Sequence, residues 1–393
     1  MLERPRKGRG AARNPAGRFE RHERVACDDG WGSLDELAAD PSPRTEVLVD
    51  HARRIVTANS SPDIPFERSI NPYRGCEHGC VYCYARPSHA YLGFSPGLDF
   101  EMRILVKPDA ERLLRAELAR PGYACRPIAL GANTDPYQPL EKRLWVTRKI
   151  LEVLAQTRHP LGIVTKSALV CRDLDLLAPM AEQGLVNVHV SITTFDPKLA
   201  RTLEPRASSP VRRLEAIRTL AAAGVPTGVM VAPVIPALTD HELETILKNA
   251  AEAGAVSAGW VLLRLPHEVK ELFAAWLDAH APLRARRVLS LVRQTRDGRL
   301  NDAAFGSRMR GTGVHAELLA QRFRKACARF GLNRRALPQR TDLFRPPKDQ
   351  LELFTDARLL SSASSFNADA GSSLIDDVRF KNARQQPKSR TGR

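Results

Sequence analysis

The chain has 393 residues, 43% of them hydrophobic, and a formal net charge of +16. That is enough apolar material for one large domain with extensions or for two domains, and the excess of cations favours a polyanionic partner, nucleic acid or an anionic surface. The longest apolar run, near 228–238, is broken by Pro233 and Pro236 and is too short to span a bilayer, which excludes a membrane-spanning segment there.

The first 25 residues are rich in Arg, Gly and Ala with no apolar period, so residues 1–25 are expected to form a flexible basic arm rather than a secretory signal. Residues 26–68 read as an N-terminal extension packing on the main domain, with a short helix starting at 33–37 and partial order over 47–56. The stretch 70–84 then reads Ile-Asn-Pro-Tyr-Arg-Gly-Cys-Glu-His-Gly-Cys-Val-Tyr-Cys-Tyr and carries three of the seven cysteines, Cys76, Cys80 and Cys83, spaced C-x3-C-x2-C. Gly75 and Gly79 permit tight backbone turns, so three thiolates can converge. Soft thiolates at this spacing select an iron–sulfur cluster or zinc, the latter with His78 or His89 as a fourth ligand. An odd number of cysteines without a pairing pattern points to a reducing, cytoplasmic setting.

Downstream, apolar runs and amphipathic segments alternate. Strands are expected at 104–106, 128–130, 161–165, 186–192, 227–231 and 260–265. Helices are expected at 109–119, 148–157, after Asp173, from Pro210 with Ser209 as N-cap and Leu214, Ile217 and Ala221 inward, and at 241–253. This alternation implies βαβ units on a parallel sheet, hence an α/β fold, with room for about six units. In the strand at 186–192 the valines share one face while Asn187, His189 and Ser191 share the other, a pattern that gives the sheet a polar inner surface. Polar residues at strand ends are Asn133, Thr134 and Asp135, then Lys166, then Ser191. Residues 281–345 form a basic, partly helical extension with Leu319, Phe323, Cys327 and Phe330 on one helix face, and 346–393 reads as a largely disordered tail. Within the extension, Arg308 and Arg310 stand among glycines just before a helix near Val314, an arrangement suited to gripping phosphate.

The cysteine spacing, with Tyr82 before the third cysteine, resembles the signature of the radical SAM superfamily. Tyr82-Cys83-Tyr84, Thr134-Asp135, Thr165-Lys166, Ser191 and Leu203-Glu204-Pro205 are similar to the branch of spore photoproduct lyase and the DNA repair photolyase-like proteins. The resemblance covers roughly residues 69–270. It implies a partial (β/α)6 TIM-like barrel over 69–280, and a [4Fe–4S] cluster on Cys76, Cys80 and Cys83 with one iron open to S-adenosyl-L-methionine. It further implies binding of that cofactor by Thr134, Lys166 and Ser191, with Lys166 on its carboxylate. The expected reaction is reductive cleavage to a 5′-deoxyadenosyl radical, fed by an electron donor such as flavodoxin or ferredoxin, in a lyase acting on nucleic acid. A small-molecule or polypeptide substrate is the alternative within the superfamily; a zinc-containing nucleic-acid-binding module is the alternative outside it. Tyr82 and Tyr84 are candidate radical relays or packing aromatics. One position departs from the branch: where it carries a hydrogen-donating cysteine after the second strand, this chain has Ala132. Cys125 lies before that strand and Cys171 in another loop.

Overall fold

The computed structural model describes residues 7–20, 44–336 and 338–347. Ten strands form two sheets: β1 (Glu46–Val49), β2 (Val56–Ala58), β3 (Arg68–Ile70), β4 (Tyr73–Arg74), β5 (Arg103–Val106), β6 (Ile128–Leu130), β7 (Leu161–Thr165), β8 (Val186–Ser191), β9 (Thr227–Val234) and β10 (Ser257–Leu262). The helices are α1 (Asp99–Met102), α2 (Ala110–Leu118), α3 (Glu141–Leu144), α4 (Val146–Gln156), α5 (Leu174–Glu182), α6 (Pro197–Leu203), α7 (Pro210–Ala222), α8 (Leu243–Glu252), α9 (Val269–His280), α10 (Pro282–Gln294) and α11 (Gly313–Phe330).

The larger sheet runs β10-β9-β8-β7-β6-β3-β2. Every pair from β10 to β3 is parallel, and only β2 is antiparallel to its neighbour. Six parallel strands therefore lie in unbroken chain order. A doubly wound sheet would reverse that order at a switch point; here it never reverses, and β2 and β10 stand as separate edges. The fold is α/β with an open parallel sheet.

Burial explains the strand sequences. β6 is buried on both faces and reads as a continuous apolar run, as strands between two packed layers do. In β8 the valines are buried while Asn187 and His189 are half-buried on the opposite face. His189 has room because Gly228 stands beside it in register, and its Nε2 lies 3.2 Å from Ser257 Oγ. Helices bury one stripe each: Val146, Ile150, Leu151, Val153 and Leu154 of α4 all enter the core.

Four expectations need correction. The run 104–106 is a strand, but as β5 it belongs to the small sheet β1-β5-β4, not to the main series. Asp173 stands at the N-terminus of α5 without capping it; its carboxylate accepts instead from Tyr137 Oη (3.0 Å) and Arg172 Nε (2.8 Å). The basic arm is packed over 7–20. Arg9 Nη1 donates to the Glu101 carbonyl (3.0 Å), and the Gly10 and Ala11 amides donate to the Glu101 carboxylate at 3.0 and 2.8 Å. A buried carboxylate requires donors, and this segment supplies them from its backbone. Finally, the 281–345 extension is part of the core: Leu319, Phe323 and Cys327 of α11 join the main cluster, and Val288 of α10 packs with Phe273 and Trp276 of α9. The helix expected at 33–37, Cys27 and the tail from 348 onward lie outside the described residues. No helix among the described residues is long and apolar enough to cross a membrane.

The 302–311 loop is not free either. Arg308 Nε pairs with the Asp63 carboxylate and its Nη2 with Ser61 Oγ, while the Gly306 amide donates to Asp63 at 2.7 Å. Arg310 lies over the Trp260 ring at 4.8 Å. The forked donors expected to grip phosphate are thus occupied in tying the C-terminal segment to residues 61–63.

Candidate cluster and cofactor site

The cysteine loop leaves the main sheet after β3 and folds back through two left-handed glycines, Gly75 (φ 82°) and Gly79 (φ 69°). A Cβ on Gly75 would meet His89, Ile104 and Phe100 atoms at 2.9 Å, and one on Gly79 would lie 2.8 Å from Glu101 Oε2, so both positions require glycine. Beneath the loop, Arg86 is fully buried. Its Nε donates to the Cys80 carbonyl (2.9 Å), one Nη2 hydrogen points to the Gly79 carbonyl (3.3 Å), and the same nitrogen pairs with Glu101. An Arg–carboxylate pair with every carbonyl served is the form in which a buried ion pair is tolerated.

Cys76 and Cys80 are buried and Cys83 is half-buried. Burial pushes all three thiols up, and for Cys76 and Cys80 the neighbouring cysteines of the set push further in the same direction, which places the sulfurs within electrostatic reach of one another. Buried thiols at a raised pKa lose their protons to a metal rather than to solvent. His89 is not a fourth ligand: its Nε2 lies 3.0 Å from the Arg103 carbonyl and its ring packs edge-on against Phe100. His78 Nδ1 faces the Asp135 carboxylate at 3.4 Å. Among the described residues no three His, Cys, Asp or Glu side chains close on a single ion. That geometry does not suit zinc; a cubane offers three separate irons to three thiolates and asks for a wider triangle.

The strand-end residues gather beside this loop. Asp135 binds the loops after β6 and β7 together, accepting from Thr165 Oγ1 (2.7 Å) and the Lys166 amide (2.6 Å). Lys166 Nζ donates to the Ala232 carbonyl (2.9 Å), stands 3.7 Å from Glu204 Oε1 and lies 5.9 Å from the centre of the Tyr82 ring. Glu204 is buried and accepts from Tyr82 Oη, Thr193 Oγ1 (2.7 Å) and Arg213 Nη2. Burial opposes its charge, but Arg213 and Lys166 outweigh burial and hold the carboxyl down at about 2.

The model of the radical SAM superfamily matches residues 70–250. An uncharacterized protein of Mycobacterium tuberculosis is 42% identical over 233 residues, 59% of this chain and 68% of the relative. This chain belongs to the radical SAM superfamily. It is a radical SAM enzyme. A second relative, an uncharacterized protein of Methanocaldococcus jannaschii, is 29% identical over 199 residues, 51% of this chain and 71% of its own. Among solved structures, a variant of spore photoproduct lyase with bound AdoMet and dinucleoside spore photoproduct superposes with a TM-score of 0.54 at 19% identity, over 73% of this chain and 80% of that one. That likeness is one of fold.

Within this radical SAM chain the expected site residues divide. Lys166, Tyr82 and Cys80 come together around Glu204. Thr134 is buried with its hydroxyl donating to the Tyr73 carbonyl (2.7 Å), so only its lone pairs remain for a ligand. Ser191 is buried at the end of β8, and its carbonyl accepts from Arg213 Nη1 (3.0 Å). Tyr84 is 45% exposed; its hydroxyl donates to the carbonyl of Ala132, the position of the missing cysteine, and Arg264 lies over its ring at 5.5 Å. Glu204 and Arg206, neighbours in sequence, do not pair with each other: Arg206 goes to Glu77 (2.8 Å) and Glu204 to Arg213. Thr193 and Arg213 complete the Glu204 network and carry no motif of their own that reveals it.

Proposed function

We propose that Cys76, Cys80 and Cys83 hold a [4Fe–4S] cluster whose open iron takes S-adenosylmethionine, within an open six-unit barrel formed by the curl of β3 and β6–β10. The observation that carries this reading is the set of three buried thiols on a glycine-hinged loop, without a fourth protein ligand, at the end of the first strand of the parallel series. When bound, the cluster supplies the electron that cleaves S-adenosylmethionine to methionine and a 5′-deoxyadenosyl radical. The chain's own residues position and seal. Lys166 offers a charged donor to the cofactor carboxylate, and Thr134 and Ser191 offer hydroxyl oxygens. Glu204 and Arg213 fix the Tyr82 hydroxyl, so Tyr82 serves as a rigid wall beside Cys80. Tyr84, exposed and reaching Ala132, is the better placed of the two tyrosines to meet substrate. Electrons would come from a small acidic donor such as flavodoxin or ferredoxin, attracted by the positive net charge.

For the substrate we favour nucleic acid, on the net charge of +16 and the shared fold with spore photoproduct lyase. The return of hydrogen differs from a cysteine-based route, since Ala132 has no donor group. Anaerobic turnover with a deuterated oligonucleotide tests the substrate: deuterium in 5′-deoxyadenosine supports it, and label arriving only from a small molecule or peptide replaces it.

Lys166→Ala is expected to keep the cluster and to weaken S-adenosylmethionine. A charge-assisted contact is worth about 1.5–3 kcal/mol, so the dissociation constant should rise about ten- to a hundredfold. Anaerobic titration checks this, and an unchanged constant takes Lys166 out of the site.

A further inference from the structure

The loops that follow β6, β7 and β8 enclose a cavity of about 270 Å³, lined by His78, Lys142, Ser167, Arg206, Ser208 and Arg212 among others. None of Thr134, Lys166 or Ser191 lines it, and no carboxylate does. Three cations therefore face one hollow. Arg206 gives Nη1 to Glu77 and Thr45. Lys142 and Arg212 have no side-chain hydrogen bond or ion pair among the described residues, and both are exposed. His78 is buried, 2% exposed, with Nδ1 turned to Asp135, so Nε2 is its ring nitrogen without a partner among the described residues. The N-terminus of α7 opens on the same hollow through Ser208 and Ser209. Unpaired like charges around a concave wall raise a local positive potential that an anion relieves, and the helix dipole adds to it.

We propose that this cavity is a phosphate-binding subsite, taking the phosphate of a nucleotide or of a polynucleotide strand. Arg206 and Arg212 present guanidinium forks, which match phosphate oxygens in pairs, and Lys142 presents a point charge. A buried histidine edge and two serine positions complete a donor-rich wall. The size admits a phosphate with its sugar rather than a folded protein surface. The strand source rests on the nucleic-acid reading above; the phosphate chemistry does not.

The test uses the full-length, cluster-loaded protein and a Lys142→Ala/Arg212→Ala variant. Both side chains are exposed, so the fold should persist, which iron content and circular dichroism verify. Equilibrium dialysis measures thymidine 5′-monophosphate against thymidine, and anisotropy measures a labelled oligothymidylate across a salt series. The expected result is a preference for the phosphorylated nucleoside and a loss of about ten- to a hundredfold in the variant. If the phosphate belongs to a strand, oligothymidylate weakens too, and its log–log salt slope falls by about two, one per lost contact. If only the mononucleotide weakens, the source is a free nucleotide. Equal binding of thymidine and its monophosphate, no binding of either phosphate probe, or identical affinities in variant and wild type would overturn the subsite. An oligonucleotide that still transfers deuterium while these affinities are unchanged would remove the cavity and leave the nucleic-acid reading standing.

Discussion

Cys83→Ala should leave a protein that folds but holds no stable cluster. Cys83 lies at the junction of two apolar groups, one with Cys80 and Tyr82 and one with Cys76 and Phe100. Trimming one half-buried thiol there costs little packing. Its chemical cost is large, because two thiolates remain where three irons need one each, and neither His78 nor His89 is turned to replace it. After anaerobic reconstitution, wild type is expected to carry about four irons and a broad absorption near about 400 nm, and the variant to lose both. Cys171→Ala serves as the control. Its sulfur contacts the Ala216 carbonyl at 3.9 Å, away from the loop, and the cluster should survive. A Cys83→Ala protein with its full iron content would show that the ligand set is misassigned.

Glu204→Ala is expected to have the largest effect on stability. The carboxylate is buried among Tyr82, Thr193, Arg213 and Lys166, and Arg213 is itself fully buried. Removing it strands the guanidinium without its counter-charge, a loss of about 3–5 kcal/mol. For a chain of this size the melting temperature should fall on the order of 10 °C. The pH dependence has a definite sign. The folded carboxyl is held at about 2, below its ordinary 4.5. Its contribution is therefore complete above 4.5 and is lost as pH falls from there towards 2. Acid unfolding of wild type should contain this component, and Glu204→Gln, which keeps the shape without the charge, should lack it. Equal melting and equal acid profiles would mean that the network does not hold the site together.

What the sequence made legible is local. β7 is a five-residue apolar run between helices, β8 alternates valines with polar residues, and Ser209 caps α7 through its hydroxyl to the Arg212 amide (3.4 Å). The cysteine loop is legible because its chemistry is written in contiguous residues. What stayed hidden depends on distant partners. Residues 9–11 show no apolar period, since they contribute small size and backbone amides to Glu101. The inner face of α7 was expected to carry Leu214, Ile217 and Ala221. It buries Arg213, Ile217 and Leu220 instead, because Glu204 draws Arg213 inward and turns the helix with it. Arg308 looked free because Asp63, its partner, is far upstream in the chain. In each case a buried charge chose its neighbour in space, and periodicity does not record that choice.

The most direct measurement is product formation by the reconstituted wild-type protein. Under anaerobic conditions with dithionite and S-adenosylmethionine, methionine and 5′-deoxyadenosine should accumulate together, only with reductant present, and not with Cys76, Cys80 or Cys83 replaced by alanine. A protein loaded with about four irons that leaves S-adenosylmethionine intact under those conditions would contradict the account.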